Sequence, residues 1–336
     1  MRPRSIGPRS YGHRRRRALL ALAAALPLLA ATGCVTVHGE RELLPAVSRD
    51  EAPQVLEAFN DGYNEAYSKL DPAVIDRVET GPLAEIGHAD MTTQSALTPG
   101  GNPGYPVLVL DDARFTIPRQ AGWPKFFLAD TRSNRDGNRW FVLFTQERAR
   151  APWKAAYLSI LSQDKVPEFA LDKDGWAEPV PAVRGADPKL AFAPDEVSST
   201  YTTYLRTGDE KLFAPGRRTS ELREEREKLR RTPTFWTDYI DVPEHAPAFP
   251  APALRTKDGG ALVFFTAHHH EKRTMAQGVQ PTIADRRTQS LLNGEPRTAV
   301  TFTRVAESAV RVPSKAAGGP IMMLNRIEGL TAAKGE

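Results

Sequence analysis

The chain's one cysteine, Cys34, stands directly behind an uncharged run of alanine and leucine, and that position limits what the rest can be. Arg14, Arg15, Arg16 and Arg17 precede the run, and Ala18 to Ala31 form it. Ala31-Thr32-Gly33 then put small side chains just before the sulfur. A charged block, a short apolar core and a small-residue exit are the three parts of an export signal. The run is too short to cross a bilayer core of about 30 Å as a helix. With Cys34 at the boundary, the body that follows has no thiol. A disulfide, a thiolate nucleophile and a cysteine-ligated zinc are all excluded from it. Its stability must come from packed cores, and 40% hydrophobic residues over 336 positions are enough to build them.

The basic balance is local to the leader. Seven of the 45 Lys and Arg fall within the first 17 residues, and no acidic residue precedes Glu40. Taking those seven from 45 leaves 38 cations against 41 anions in the body. A nucleic-acid binder needs surplus cations to displace counterions, so no nucleic-acid partner is expected.

Ala31-Thr32-Gly33-Cys34 resembles the lipobox of bacterial lipoproteins, with Ala31 where leucine is commoner. The resemblance implies cleavage ahead of Cys34, a diacylglyceryl group on its thiol, and anchoring to the outer face of the cytoplasmic membrane. Residues 1–33 are then a signal peptide, and 34–49 the lipidated cysteine and a polar tether. Arg16-Arg17-Ala18-Leu19-Leu20 also fits the loose twin-arginine export pattern. Taken whole, the chain is similar to a group of actinobacterial secreted lipoproteins of unknown function.

The body reads as α+β. Val55, Phe59, Tyr63, Ala66, Tyr67 and Leu70 recur at helical steps behind Ser48 and Asp50. Asp71-Pro72 restarts a shorter helix, and Gly81-Pro82 is expected to end it. Strand runs follow from Val107 to Leu110, Arg114 to Ile117, Lys125 to Ala129, Trp140 to Thr145 and Trp153 to Leu161. Five prolines between Asp164 and Pro194 suggest a linker.

The order then restarts. Val197, Tyr201, Tyr204 and Leu205 share a helix face, Ser220 to Arg231 form a charged helix, and further strands follow from Phe235. Asp136-Gly137-Asn138 and Asp258-Gly259-Gly260 each turn into an apolar run that closes on Phe-Thr. The expected architecture is two tandem domains of helices and a curved antiparallel sheet, 50–163 and 194–330, joined by a Pro-rich linker at 164–193. Element order and the segment Phe59 to Tyr67 with Asp71-Pro72 and Gly81-Pro82 resemble cone-shaped nuclear-transport-factor-like domains, which implies a cavity under a bent sheet.

No linear catalytic motif is present, and no catalytic residue or cofactor is assigned. On a strand, His268 and His270 point to one face, so the pair is a candidate metal site. His245 or Glu271 would have to supply a third ligand. Asp112, His88 and Tyr63 in the first half, and Asp238 and Tyr239 in the second, are the residue types a cavity isomerase would need. The aromatics Phe59, Tyr63, Tyr67, Phe127, Trp140, Phe141 and Phe144 suit a filled core before a ligand cavity. Trp123 and Trp176, in Gly/Pro-containing loops, are candidate contact residues. The function expected is non-enzymatic: binding of a small apolar ligand or an envelope protein at a domain cavity or the groove between domains. A cavity-based isomerase or hydrolase is the alternative, and an importer's substrate-binding lipoprotein the third.

Overall fold

In the computed structural model, which describes residues 42–336, the first helix starts where Ser48 Oγ accepts the N–H of Glu51 at 3.0 Å. Residues 1–33, expected as a signal peptide, and Cys34 lie outside the described residues. Helix α1 (Glu51–Lys69) buries Ala52, Leu56, Phe59 and Ala66 along one face. Helix α2 (Pro72–Val78) follows with Asp71 as its cap, the carboxylate accepting the N–H of Ala73 at 2.9 Å. Gly81-Pro82 does not close this region. It opens a third helix, α3 (Gly81–Leu97). Gly81 has φ +58°, which favours glycine, and Pro82 sits in the first turn, where a missing N–H has no intrahelical partner to lose. Ahead of the helices, β1 (Leu44–Pro45) pairs antiparallel with β3 (Arg119–Gln120). Ala46 and Val47 are buried there, so the last residues expected as tether are built into the body.

The first sheet is antiparallel, in the order β2 (Leu110–Thr116), β4 (Lys125–Ser133), β5 (Arg139–Gln146), β6 (Lys154–Leu161). The second half begins with α4 (Val197–Thr207) and the charged α5 (Ser220–Arg230). Its sheet contains β7 (Phe235–Pro243), β8 (Ala253–Arg255), β9 (Ala261–Met275), β10 (Leu292–Asn293), β11 (Ala299–Val312) and β12 (Met322–Gly335). The order is β10-β12-β11-β9-β7, with β8 also on β9, and a short helix α6 (Arg286–Ser290) precedes β10. Strand β11 runs unbroken from Ala299 to Val312. Its polar residues Glu307 and Ser308 are buried.

Side-chain alternation sorts these strands into layers. In the first sheet Phe127, Ala129, Val142 and Phe144 face α1, packing with Leu56 and Phe59. The opposite face carries Phe126, Leu128, Phe141 and Leu143, which meet Leu254, Leu262, Phe264 and Ala309 of the second sheet. The far side of that sheet puts Val263, Phe265, Val310 and Val312 under Val197, Tyr201, Tyr204 and Leu205 of α4. The result is helix, sheet, sheet, helix. Burial on both faces is why β5 and the start of β9 read as unbroken apolar runs.

Residues 43–336 form one compact unit. The Pro-rich stretch 164–193 lies along both halves, making isolated bridges at Pro118–Ala177, Phe169–Thr256, Pro179–Leu254 and Leu190–Ser314. At the edge of the first sheet, β6 donates two backbone N–H groups to side chains of the second. Leu158 bonds Glu307 Oε2 at 3.0 Å and Ile160 bonds Asn325 Oδ1 at 3.3 Å. An otherwise open strand edge is thereby satisfied internally. Among the described residues, no helix is long and apolar enough to cross a membrane.

Candidate functional site

Two clefts flank the second sheet, and their chemistry is opposite. The first lies where the two halves meet, has a volume of about 370 Å³, and is lined largely by proline and other apolar side chains. Pro124, Pro179, Pro181, Pro194, Pro250 and Pro252 contribute to its wall, with Phe126, Val180, Phe249, Ala251 and Phe265. Proline suits such a wall because it is stiff and brings no backbone N–H that would need a partner. Among its polar groups, Ser198 Oγ donates to Thr266 O at 2.6 Å and accepts from the N–H of Glu244 at 3.0 Å, whereas Asp195 Oδ1 and Arg119 Nε are buried without a partner among the described residues. Lys125 differs from Arg119, whose guanidinium pairs with Asp172 and Asp174. It lines the cleft, is 9% exposed, and has no ion-pair partner among the described residues. Burial pulls its pKa down, and its Nζ lies 5.3 Å from the centre of the Trp123 ring.

The second cleft lies between α5 and the helix-facing side of the second sheet, with a volume of about 210 Å³. Register places Asp241 of β7 opposite His269 of β9, and His269 opposite Arg304 of β11. His269 Nδ1 donates to Asp241 Oδ1 at 2.6 Å. Arg226, reaching down from α5, holds both oxygens of the same carboxylate at 2.8 and 3.0 Å. Burial alone would raise Asp241; the hydrogen bonds from His269 and Arg226 outweigh it and hold the carboxyl at about 2. Burial, aided by nearby Arg326 and Arg226, lowers His269 to about 4, so the ring is neutral with its proton on Nδ1. Its Nε2 is therefore a bare acceptor, buried and without a partner among the described residues. Arg326 is also buried. Its Nη2 donates to Glu328 at 2.7 Å, while Nε and Nη1 have no partner among the described residues.

The candidate residues separate along these lines. His268 and His270 do share a face, but it is the face opposite His269. His268 sits between Glu244 at 2.8 Å and Glu85 of α3 at 3.1 Å, and the carboxylates raise its pKa. His270 Nδ1 lies 3.0 Å from Thr303 Oγ1. His245 is elsewhere, with Nδ1 3.2 Å from the carbonyl of Asp195, and Glu271 pairs with Arg273 and Arg304. Among the described residues, no three His, Cys, Asp or Glu are gathered as a metal site. Trp123 is 43% exposed beside the apolar cleft, whereas Trp176 lies under the guanidinium of Arg49 at 4.3 Å.

Asp112 is held low by Arg139, and His88 pairs with Asp76 at 2.8 Å on the surface. Tyr63 stacks between Phe59 and Tyr67, and Asp238 is exposed. Phe127, Phe141 and Phe144 are fully buried core rings. Tyr239 lines the polar cleft with the Arg226 guanidinium 4.8 Å from its ring centre. Sequence reasoning missed His269, Asp241, Arg226 and Arg326. The signal for His269 was present: if His268 and His270 share one strand face, the histidine between them takes the other.

Fold and clefts together define a two-sheet α+β body with concave sites, one apolar and one polar. The chain belongs to the family described as Domain of unknown function (DUF8094), whose model matches residues 43–335. It is similar to an uncharacterized lipoprotein of Streptomyces avermitilis, 45% identical over 336 residues and 98% of each chain. A second similar protein, an uncharacterized lipoprotein of Streptomyces coelicolor, is 43% identical over 331 residues, again 98% of each. Another lipoprotein of that organism is 26% identical over 341 residues, 95% of this chain and 94% of its own. No solved structure matches.

Proposed function

We propose that this protein is a lipid-anchored extracytoplasmic binding module that holds a small apolar molecule with an acidic head in the proline-walled cleft. The observation that carries the reading is the ammonium of Lys125, which has no ion pair among the described residues and stands at a cleft whose wall is mostly apolar. An aliphatic tail would bury against Phe126, Val180 and Phe265, at roughly 25 cal/mol per Å² of apolar surface removed from water. A carboxylate would pair with Lys125, and Trp123 would close the rim. The lipobox at Cys34 and the lipoprotein names of the relatives support the anchor. Two acyl chains on one cysteine would hold the protein durably at the outer face of the cytoplasmic membrane. The arrangement as two cone-like halves is part of the same proposal; it rests on helices covering one face of each sheet.

Native mass spectrometry of the chain from residue 35, mixed with dodecanoate, tests the ligand. A retained mass in the wild type that weakens in Lys125→Met and disappears in Ala251→Trp is expected. Equal retention by all three proteins, or none, would refute the reading. The same spectra test His268 and His270, since a divalent-ion mass lost in His268→Ala would mark them as ligands. Cys34→Ala should move the full-length protein out of the membrane fraction, and its persistence there would exclude the lipid anchor.

A further inference from the structure

From the polar cleft we infer a second binding site, for a neutral polyhydroxylated ring of the saccharide class. The unmet valences set the chemistry. His269 Nε2 can only accept, while Arg326 Nε and Nη1 can only donate, and all three atoms are buried without partners among the described residues. A hydroxyl group satisfies both kinds at once, because it donates one hydrogen and accepts through its lone pairs. A carboxylate or phosphate could meet Arg326 but would set a negative oxygen against His269 Nε2.

Charge balance also argues against an anion. Each arginine of the cleft is already committed to a carboxylate: Arg226 to Asp241, Arg304 to Glu271, Arg326 to Glu328. No surplus cation remains among them to neutralise a charged ligand, whereas carboxylates and guanidinium groups both bond neutral hydroxyls well. The walls fit the remainder of a sugar. Tyr239 offers a ring face, and Leu222 and Leu229 offer apolar surface for C–H groups. About 210 Å³ suits one ring and not a long chain. Beyond Arg226 and Tyr239 the surface continues into a wider cleft with Arg206, Arg223, Arg230, Glu210, Glu224 and Glu227, again of mixed sign. A longer glycan would have room to continue there.

The test uses the full-length protein in a zwitterionic, sugar-free detergent. Glucose, N-acetylglucosamine and myo-inositol are added separately, with acetate and sulfate as the anion comparison. Binding is read from saturation transfer to the added compound and from the His269 ring nitrogen signals. A neutral ring compound should bind and shift Nε2, with Tyr239→Ala and His269→Gln each weakening it about tenfold. Ala251→Trp, in the apolar cleft, should leave it unchanged, so this site and the lipid site stand or fall separately. Binding of acetate or sulfate in place of the neutral compounds would overturn the inference. So would no binding, or binding indifferent to both cleft substitutions.

Discussion

The backbone N–H of Leu158 donates to Glu307 Oε2 at 3.0 Å, joining the edge of one sheet to the middle of the other. The second oxygen, Oε1, is buried and has no partner among the described residues. Burial drives the Glu307 carboxyl up to about 8. Glu79 is buried too and raised well above the ordinary carboxyl value, first by burial and then by the charge of Glu307. The other groups facing this pair, Asp76, Asp90, Tyr63, Tyr67 and Tyr157, are acidic or phenolic and bring no cation. The seam between the halves is therefore held in its neutral, protonated form.

That fixes the sign of a pH effect. Because the folded pKa of Glu307 lies above the ordinary 4.5, its contribution to stability is full below 4.5 and is lost as pH rises toward about 8. The loss is about 1.4 kcal/mol per pH unit across that window. His269 works the other way: lowered from 6.5 to about 4, it favours folding fully above 6.5 and less as pH falls. Between about pH 6.5 and 8 His268, raised by Glu85 and Glu244, adds a loss of the same sign, so the carboxyl effect is read as the difference in urea midpoint between the wild type and Glu307→Gln. The wild type should lose stability over that range and Glu307→Gln should lose less; a midpoint that climbs with pH would contradict the assignment.

Asp241→Asn should be among the most damaging single changes. It replaces two acceptor oxygens and a negative charge by one neutral carbonyl, so Arg226, only 12% exposed, loses its bidentate partner and shares the remaining acceptor with His269 Nδ1. Breaking a buried pair on one side costs about 3–5 kcal/mol. Chemical denaturation would show this as a lower midpoint with an unchanged slope.

Tyr157→Phe removes only an oxygen, yet that oxygen spans the halves. The hydroxyl donates to the carbonyl of Pro250 at 2.8 Å and lies 3.1 Å from Thr266 Oγ1. Its loss should cost about 1–3 kcal/mol through the unpaired groups left behind, with ring packing against Phe264 intact. Thermal unfolding of the variant is the check.

Gly62→Ala tests packing against helix propensity. Alanine would favour α1 by about 1 kcal/mol on propensity alone. A methyl group there would overlap Val78 Cγ1 of α2, so overpacking at about 1–3 kcal/mol should win and the variant should melt lower.

Much of the fold was legible because the strongest signals were periodic. The apolar stripe from Val55 to Leu70 and the run from Trp140 to Thr145 needed only the helix and strand periods. α3 was missed because Gly-Pro normally punctuates, and Gly87 and Thr93 interrupt its apolar face while still being buried. The polar cleft was illegible for a different reason. His269, Asp241, Arg226 and Arg326 come from four separate elements, so only strand register and the placement of α5 bring them together. The proline-walled cleft lay half in view: the prolines of 164–194 stood out, but as spacer and not as wall.

The first sheet has a consequence for the order in which the chain is made. Phe126, Leu128, Phe141 and Leu143 leave the ribosome long before Leu254, Leu262, Phe264 and Ala309, which cover them. Until those late residues arrive, the early half presents an uncovered greasy face, open to chaperones and to stray copies of itself. Maturation must then wait for the whole chain. A transcript cut short in the middle would yield sticky debris and no working half.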